Sequence, residues 1–155
     1  MKWFVILNIL IIIGVLFTTQ YVFSSEMPAK PIEMNSPADR VKEEQIKAFE
    51  DKVEVNFERK IRFVKFIDTN SMDPVLDSET NAIEMLPESP GEIKKGDIIS
   101  YKTKRSSYPV IHRVVDIGAD DNGWYALAKG DNNPEIDPEK IRFNEVNGVV
   151  VALFY

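Results

Sequence analysis

Apolar positions follow two unlike patterns along the chain. From Trp3 to Phe17 they form an almost unbroken run, interrupted only by Asn8 and Gly14; after Thr18, Thr19 and Gln20, residues Tyr21, Val22 and Phe23 extend it. That is about the 20 residues a bilayer core requires, and the lack of a polar face argues against a buried helix of a soluble domain. From Gln45 onward, short runs of alternating apolar and polar residues are broken by Pro, Gly, Asp and Asn. This is the period of half-buried strands.

The amino-terminal run fits two fates. A secretory signal peptide has a charged start, an apolar stretch of about 7–15 residues and a small-residue cleavage site; Ser24, with Val22 two positions before it, would serve as that site. An uncleaved anchor fits better, because the run with its aromatic flank is long for a signal and its small-x-small pattern is poor. With the lone positive charge of the segment at Lys2, both fates place everything after residue 25 outside the cytoplasm. The resulting organisation is a transmembrane anchor over 1–24, a proline-containing linker over 25–36 and an extracytoplasmic β domain over 37–155.

Within the domain, Ser36, Pro37 and Asp39 predict the start of a short helix, with a capping serine, proline in the first turn and an acid three residues on. Strands are expected at Gln45–Phe49, at Lys52–Phe57 with Val53, Val55 and Phe57 on one face, and at Lys60–Ile67. A short strand, Asn81–Met85, is expected among loops. Four more are expected at Asp97–Lys102, Pro109–Ile117, Trp124–Lys129 and Val146–Phe154, with Gly118–Gly123 as the hairpin turn between the middle two. No internal repeat is visible. The sum is a mainly β domain with a curled or partly closed sheet.

Composition removes more chemistry than it suggests. There is no cysteine, which excludes disulfides, cysteine-based zinc and thiol catalysis. His112 is the single histidine, so no multi-histidine metal site can be built. A carboxylate-only Mg²⁺ or Ca²⁺ site stays open, though no EF-hand-like spacing occurs; no metal or other cofactor is expected. The balance of 25 acidic against 19 basic residues argues against a nucleic-acid-binding surface.

Four stretches carry the candidate chemistry: Asn70–Pro74 (NSMDP), Lys94–Tyr101 (KKGDIISY), Val110–Val115 (VIHRVV) and Lys129–Asp137 (KGDNNPEID). Singly, each has an ordinary structural explanation. Ser71 is a turn serine, His112 a strand histidine, and Asp131 and Asp137 are solvated loop acids. In order, they resemble the signal peptidase I family over somewhat more than half the chain, from about Thr69 to the carboxyl terminus. The matching motifs are Ser71-Met72-Asp73-Pro74, Gly96-Asp97-Ile98-Ile99, His112-Arg113-Val114 and Lys129-Gly130-Asp131-Asn132-Asn133, with Asp137 beyond.

A histidine where bacterial members place a lysine resembles the archaeal and endoplasmic-reticulum branch. An imidazole, with an ordinary pKa of about 6.5, accepts a proton near neutrality without the desolvation a lysine base needs. The resemblance implies a signal-peptidase-like curled β-sheet domain with one N-terminal transmembrane helix. It also implies a serine endopeptidase with Ser71 as nucleophile, His112 as general base, Asp137 orienting the imidazole and Asp131 supporting the site. Which acid does which stays open at this point. Implied partners are signal peptides of secretory or membrane precursors and the lipid bilayer, with accessory subunits undefined.

The chain departs from the family pattern at three places. Asn70 stands where many relatives carry glycine, Asp77–Lys95 reads as an insertion rich in acid and proline, and Asn35–Lys65 matches no family element. Two other functions compete. A self-cleaving repressor of the serine-lysine type would need a DNA-binding domain and a lysine base. A membrane-tethered peptide-binding or scaffold domain of the same fold would carry a vestigial serine.

Overall fold

The computed structural model describes residues Met34–Tyr155, which form one compact unit. The apolar run, and with it the expected anchor and most of the expected linker, lies outside the described residues. Among the described residues, no helix is long and apolar enough to cross a membrane.

The unit is mainly β. Strands β1 (Ile46–Ala48) and β2 (Val53–Val55) form a separate antiparallel hairpin. The remaining strands are β3 (Ile61–Lys65), β4 (Asn81–Met85), β5 (Ile98–Tyr101), β6 (Val110–Asp120), β7 (Gly123–Lys129), β8 (Ile141–Arg142) and β9 (Val146–Phe154). They build one seven-stranded antiparallel sheet in the order β3-β4-β9-β5-β6-β7-β8, curled into a half-barrel.

The curl gives the central strands two covered faces. Ile99, Tyr101, Val114, Ala126, Ala128, Ile141 and Val149 pack in one cluster, whereas Met72, Leu76, Ala82, Ile98 and Val150 pack in a second. Consecutive residues Ile98 and Ile99 on β5, and Val149 and Val150 on β9, therefore serve opposite clusters, as the twofold side-chain period of a strand requires. All of β5 is buried for this reason. Each fully buried isoleucine contributes about 1.5–3 kcal/mol.

Two expectations are corrected. No helix begins at Ser36. The segment runs as a strap without regular secondary structure, with Ala38 N–H donating to Asp97 Oδ1 at 3.0 Å and Arg40 Nη2 to Asp97 Oδ2 at 2.6 Å. Tertiary bonds thus take the groups a capped helix would have used, and among the described residues the nearest helical geometry is the 3-10 turn Glu43–Gln45. Within the acidic stretch Asp77–Lys95, the expected strand Asn81–Met85 forms as β4, between β3 and β9, and Ile93 is buried. The hairpin turn is Asp121-Asn122, with Asp120 paired to Gly123, so β6 runs on through Gly118. Gly118 is a packing position: a Cβ there would lie 2.5 Å from the Tyr125 hydroxyl.

The strap crosses Gly96, which has φ +98° and where a Cβ would lie 2.2 Å from Ser36 O. Gly96→Ala is therefore expected to destabilise the protein by about 2–4 kcal/mol, combining backbone strain with overpacking. Gly91→Ala, with nothing within 4 Å of the added methyl, should shift stability by less than about 1 kcal/mol. Urea midpoints of the two variants check this.

Candidate active site

Ser71 lies in the turn that follows β3. Its backbone is set by Asn70, which has φ 55°, a left-handed conformation that asparagine tolerates better than most residues. Met72 anchors the turn: it is 3% exposed, and its carbonyl accepts from Val75 N at 2.9 Å and Leu76 N at 3.1 Å. The Ser71 hydroxyl shares a 3.0 Å hydrogen bond with Thr69 Oγ1.

The Lys129–Asn133 loop receives this turn. Asn132 donates through its backbone N–H to Ser71 O (2.9 Å) and through Nδ2 to Asn70 O (2.9 Å). Asp131 N–H points at Met72 Sδ (3.4 Å). Gly130 is required by the approach itself, because a Cβ there would sit 2.5 Å from Ser71 O. The Lys-Gly-Asp-Asn motif is thus a cradle for the Ser-Met turn.

His112 is on β6, paired with Ile99 and 7% exposed. Its Nδ1 lies 2.7 Å from Asp137 Oδ2. The same carboxylate oxygen accepts the Tyr101 hydroxyl at 2.6 Å, and the Tyr101 and His112 rings meet edge-on, with centroids 6.5 Å apart. A carboxylate only accepts, so Nδ1 carries the hydrogen and Nε2 is left as the basic nitrogen. Asp137 is placed by its own N–H, which bonds Ala128 O at the end of β7 (2.8 Å). Burial, then the hydrogen bond to Asp137 and its charge, push the Tyr101 phenol far above its ordinary value, so it stays a donor.

The two acids divide cleanly. Asp137 bonds the imidazole, whereas Asp131 accepts both Nε (2.8 Å) and Nη2 (2.7 Å) of Arg113. Arg113 Nη1 also donates to Gly96 O at 2.9 Å. Ser71 and His112 line one cavity of about 740 Å³, with Thr69 beside them. The four sequence-predicted residues thus occupy one region: Ser71 and His112 on a common cavity, Asp137 behind the histidine, and Asp131 behind the serine turn. Sequence reasoning placed Met72 and Tyr101 within the quoted motifs but gave neither them nor Thr69 a role in the site. Tyr101 closes the Gly-Asp-hydrophobic strand that opposes the His-Arg strand, and that pairing was the available signal. Among the described residues, no group of acidic or histidine side chains is arranged to hold a metal ion.

Compared with known proteins, the chain matches no family model and no solved structure. It is 42% identical over 69 residues to the uncharacterized protein MJ0260 of Methanocaldococcus jannaschii, covering 41% of this chain and 34% of that protein. The chain thus spans about a third of the length of the relative it matches.

Asp131→Asn leaves Arg113, whose side chain is 8% exposed, as an uncompensated buried charge. A loss of about 3–5 kcal/mol in urea denaturation is expected. The raised phenol of Tyr101 gives a second test. Its stabilising contribution is fully present below the ordinary phenol value of about 10 and is lost above it, as the unfolded chain ionises while the folded one does not. Between pH 10 and 11 the wild type should lose up to about 1 kcal/mol more than Tyr101→Phe, read as the difference in thermal midpoints.

Proposed function

We propose that this protein is a membrane-anchored serine endopeptidase of the signal peptidase type, in the histidine-dependent branch, cleaving signal peptides from secretory precursors on the extracytoplasmic side. The observation that carries the reading is the 2.7 Å contact of His112 Nδ1 with Asp137, with Ser71 on the wall of the same cavity. The general logic of a serine–histidine–acid triad needs a nucleophile, a base and an orienting carboxylate, identified by geometry rather than by chain order.

In the reaction, Ser71 Oγ attacks the scissile carbonyl while His112 Nε2 takes its proton. The imidazolium, steadied by Asp137, returns the proton to the leaving amine, and water then releases the acyl group by the same route in reverse. The Ser71 N–H would serve as a backbone donor to the developing oxyanion, and the Thr69 hydroxyl, 3.0 Å from Ser71 Oγ, would serve as a second. Tyr101 fixes the carboxylate that fixes the histidine. Among the described residues β3 is an edge strand, and its residues Val64 and Lys65 line the cavity. An extended peptide can therefore add to its free backbone groups as one more strand. The apolar run over 3–23 would hold enzyme and membrane-embedded precursor in one thin layer and raise their effective concentration.

One observation favours a second reading, a membrane-tethered peptide-binding domain of the same fold: the Ser71 hydroxyl is bonded to Thr69 rather than to the imidazole. Catalytic hydrogen bonds in substrate-free sites are often formed only in the complex, so the first reading is preferred.

The detergent-solubilised full chain, incubated with secretory precursors and read by mass spectrometry, separates the two. Cleavage after a small residue is expected, abolished by Ser71→Ala and by His112→Ala, and reduced by about 10³-fold or more by Asp137→Asn. Binding of precursors with no cleavage by any form would establish the second reading instead.

A further inference from the structure

The cavity floor holds polar groups that acyl transfer does not use. Ser100 on β5 is 6% exposed, and its Oγ is buried with no hydrogen-bond partner among the described residues. It pairs across the sheet with Ile111 on one side and Gly148 on the other. Gly148 in turn seats Glu84: a Cβ there would lie 2.7 Å from Glu84 Oε2. Cross-strand partners project to the same face, so the Ser100 hydroxyl and the Glu84 carboxylate share one face, on either side of Gly148.

Glu84 is 2% exposed, and its Oε2 accepts Arg62 Nη2 at 2.8 Å; that nitrogen also donates to Asn147 O at 2.8 Å. Ser100, Glu84 and Arg62 line the cavity together with Val64, Phe66 and Ile111. A buried hydroxyl without a partner is destabilising, and the rest of β5 is Ile98, Ile99 and Tyr101, so an apolar residue would serve packing better at position 100.

We propose that Ser100, Glu84 and Arg62 form a selective subsite that takes one short, neutral, hydrogen-bonding side chain of the bound peptide: Ser, Thr or Asn. The inference rests on the peptide-cleaving reading above. A side chain that donates and accepts satisfies Ser100 and the carboxylate together. The Glu84–Arg62 pair is already neutral, so a basic side chain meets Arg62 and an acidic one meets Glu84, each buried without a counterion. An apolar side chain leaves the hydroxyl orphaned, and Val64, Phe66 and Ile111 limit length.

The test uses precursor-derived peptides in which each position around the cut is varied in turn through Ser, Thr, Asn, Ala, Leu, Lys and Glu. Cleavage by the full chain gives relative kcat/KM, and binding to the Ser71→Ala form is followed by fluorescence anisotropy. At one position Ser, Thr and Asn should exceed Ala, Leu, Lys and Glu by about tenfold or more, and Ser100→Ala or Glu84→Gln should remove that preference there alone. A wild type with no such position, or a preference that survives both substitutions, overturns the subsite. Binding with the preference but no cleavage overturns the peptidase reading and leaves the subsite standing. Cleavage without it does the reverse, and neither binding nor cleavage overturns both.

Discussion

The bidentate ion pair between Arg113 and Asp131, with side chains 8% and 2% exposed, sets where the two halves of the site stand relative to each other. Arg113 directly follows His112, and neighbours on a strand face opposite ways. One residue therefore turns to Tyr101 and Asp137 while the next turns to Asp131. Two buried charges carry a desolvation penalty that only good geometry and additional hydrogen bonds offset. Here the guanidinium forks onto both carboxylate oxygens and also meets Gly96 O. What the pair gives in return is position. From Asp131 the cradle continues through Gly130 and Asn132 to the Ser71 carbonyl, so the serine turn is registered against the histidine strand by a short chain of directional contacts.

Asp97 plays the corresponding part at the amino-terminal end of the unit. It is fully buried and accepts Ala38 N, Lys94 N at 2.6 Å and Arg40. Its backbone carbonyl takes Val114 N, and Gly96 N donates to Val114 O, each at 2.8 Å. The Gly-Asp pair therefore joins the strap to β6 two residues beyond His112. The glycine admits the strap's backbone and the aspartate binds it. A conformational requirement and a charge requirement fall on adjacent residues, which explains the Gly-Asp spacing without any role in proton transfer.

Two strands were legible in full from their apolar content and flanking turn residues: Asn81–Met85 and Val146–Phe154 match the expected ranges residue for residue. The strap was not, because long-range hydrogen bonds leave no period in sequence, and β8, two residues long, is too short to show one. The division between the two acids was also hidden. Both lie in one loop of similar composition, and only the geometry attaches Asp131 to Arg113 and Asp137 to His112. Tyr101 and Ser100 illustrate the same limit. Side by side on a strand buried on both faces, one serves the histidine and the other the cavity floor, and no local pattern separates them.

The asparagine at position 70 gains a physical meaning from this frame. A left-handed residue is needed there to turn β3 into the serine loop, and besides glycine, asparagine and aspartate are the residues that visit that region most readily. Asn70 keeps the turn, with φ 55°, and its carbonyl is held by Asn132. A residue unable to adopt this conformation would move Ser71 away from the Gly130 cradle. Asparagine thus supplies the one property the turn requires. Asparagine also restricts the unfolded chain more than glycine would, which favours order in the loop that carries Ser71.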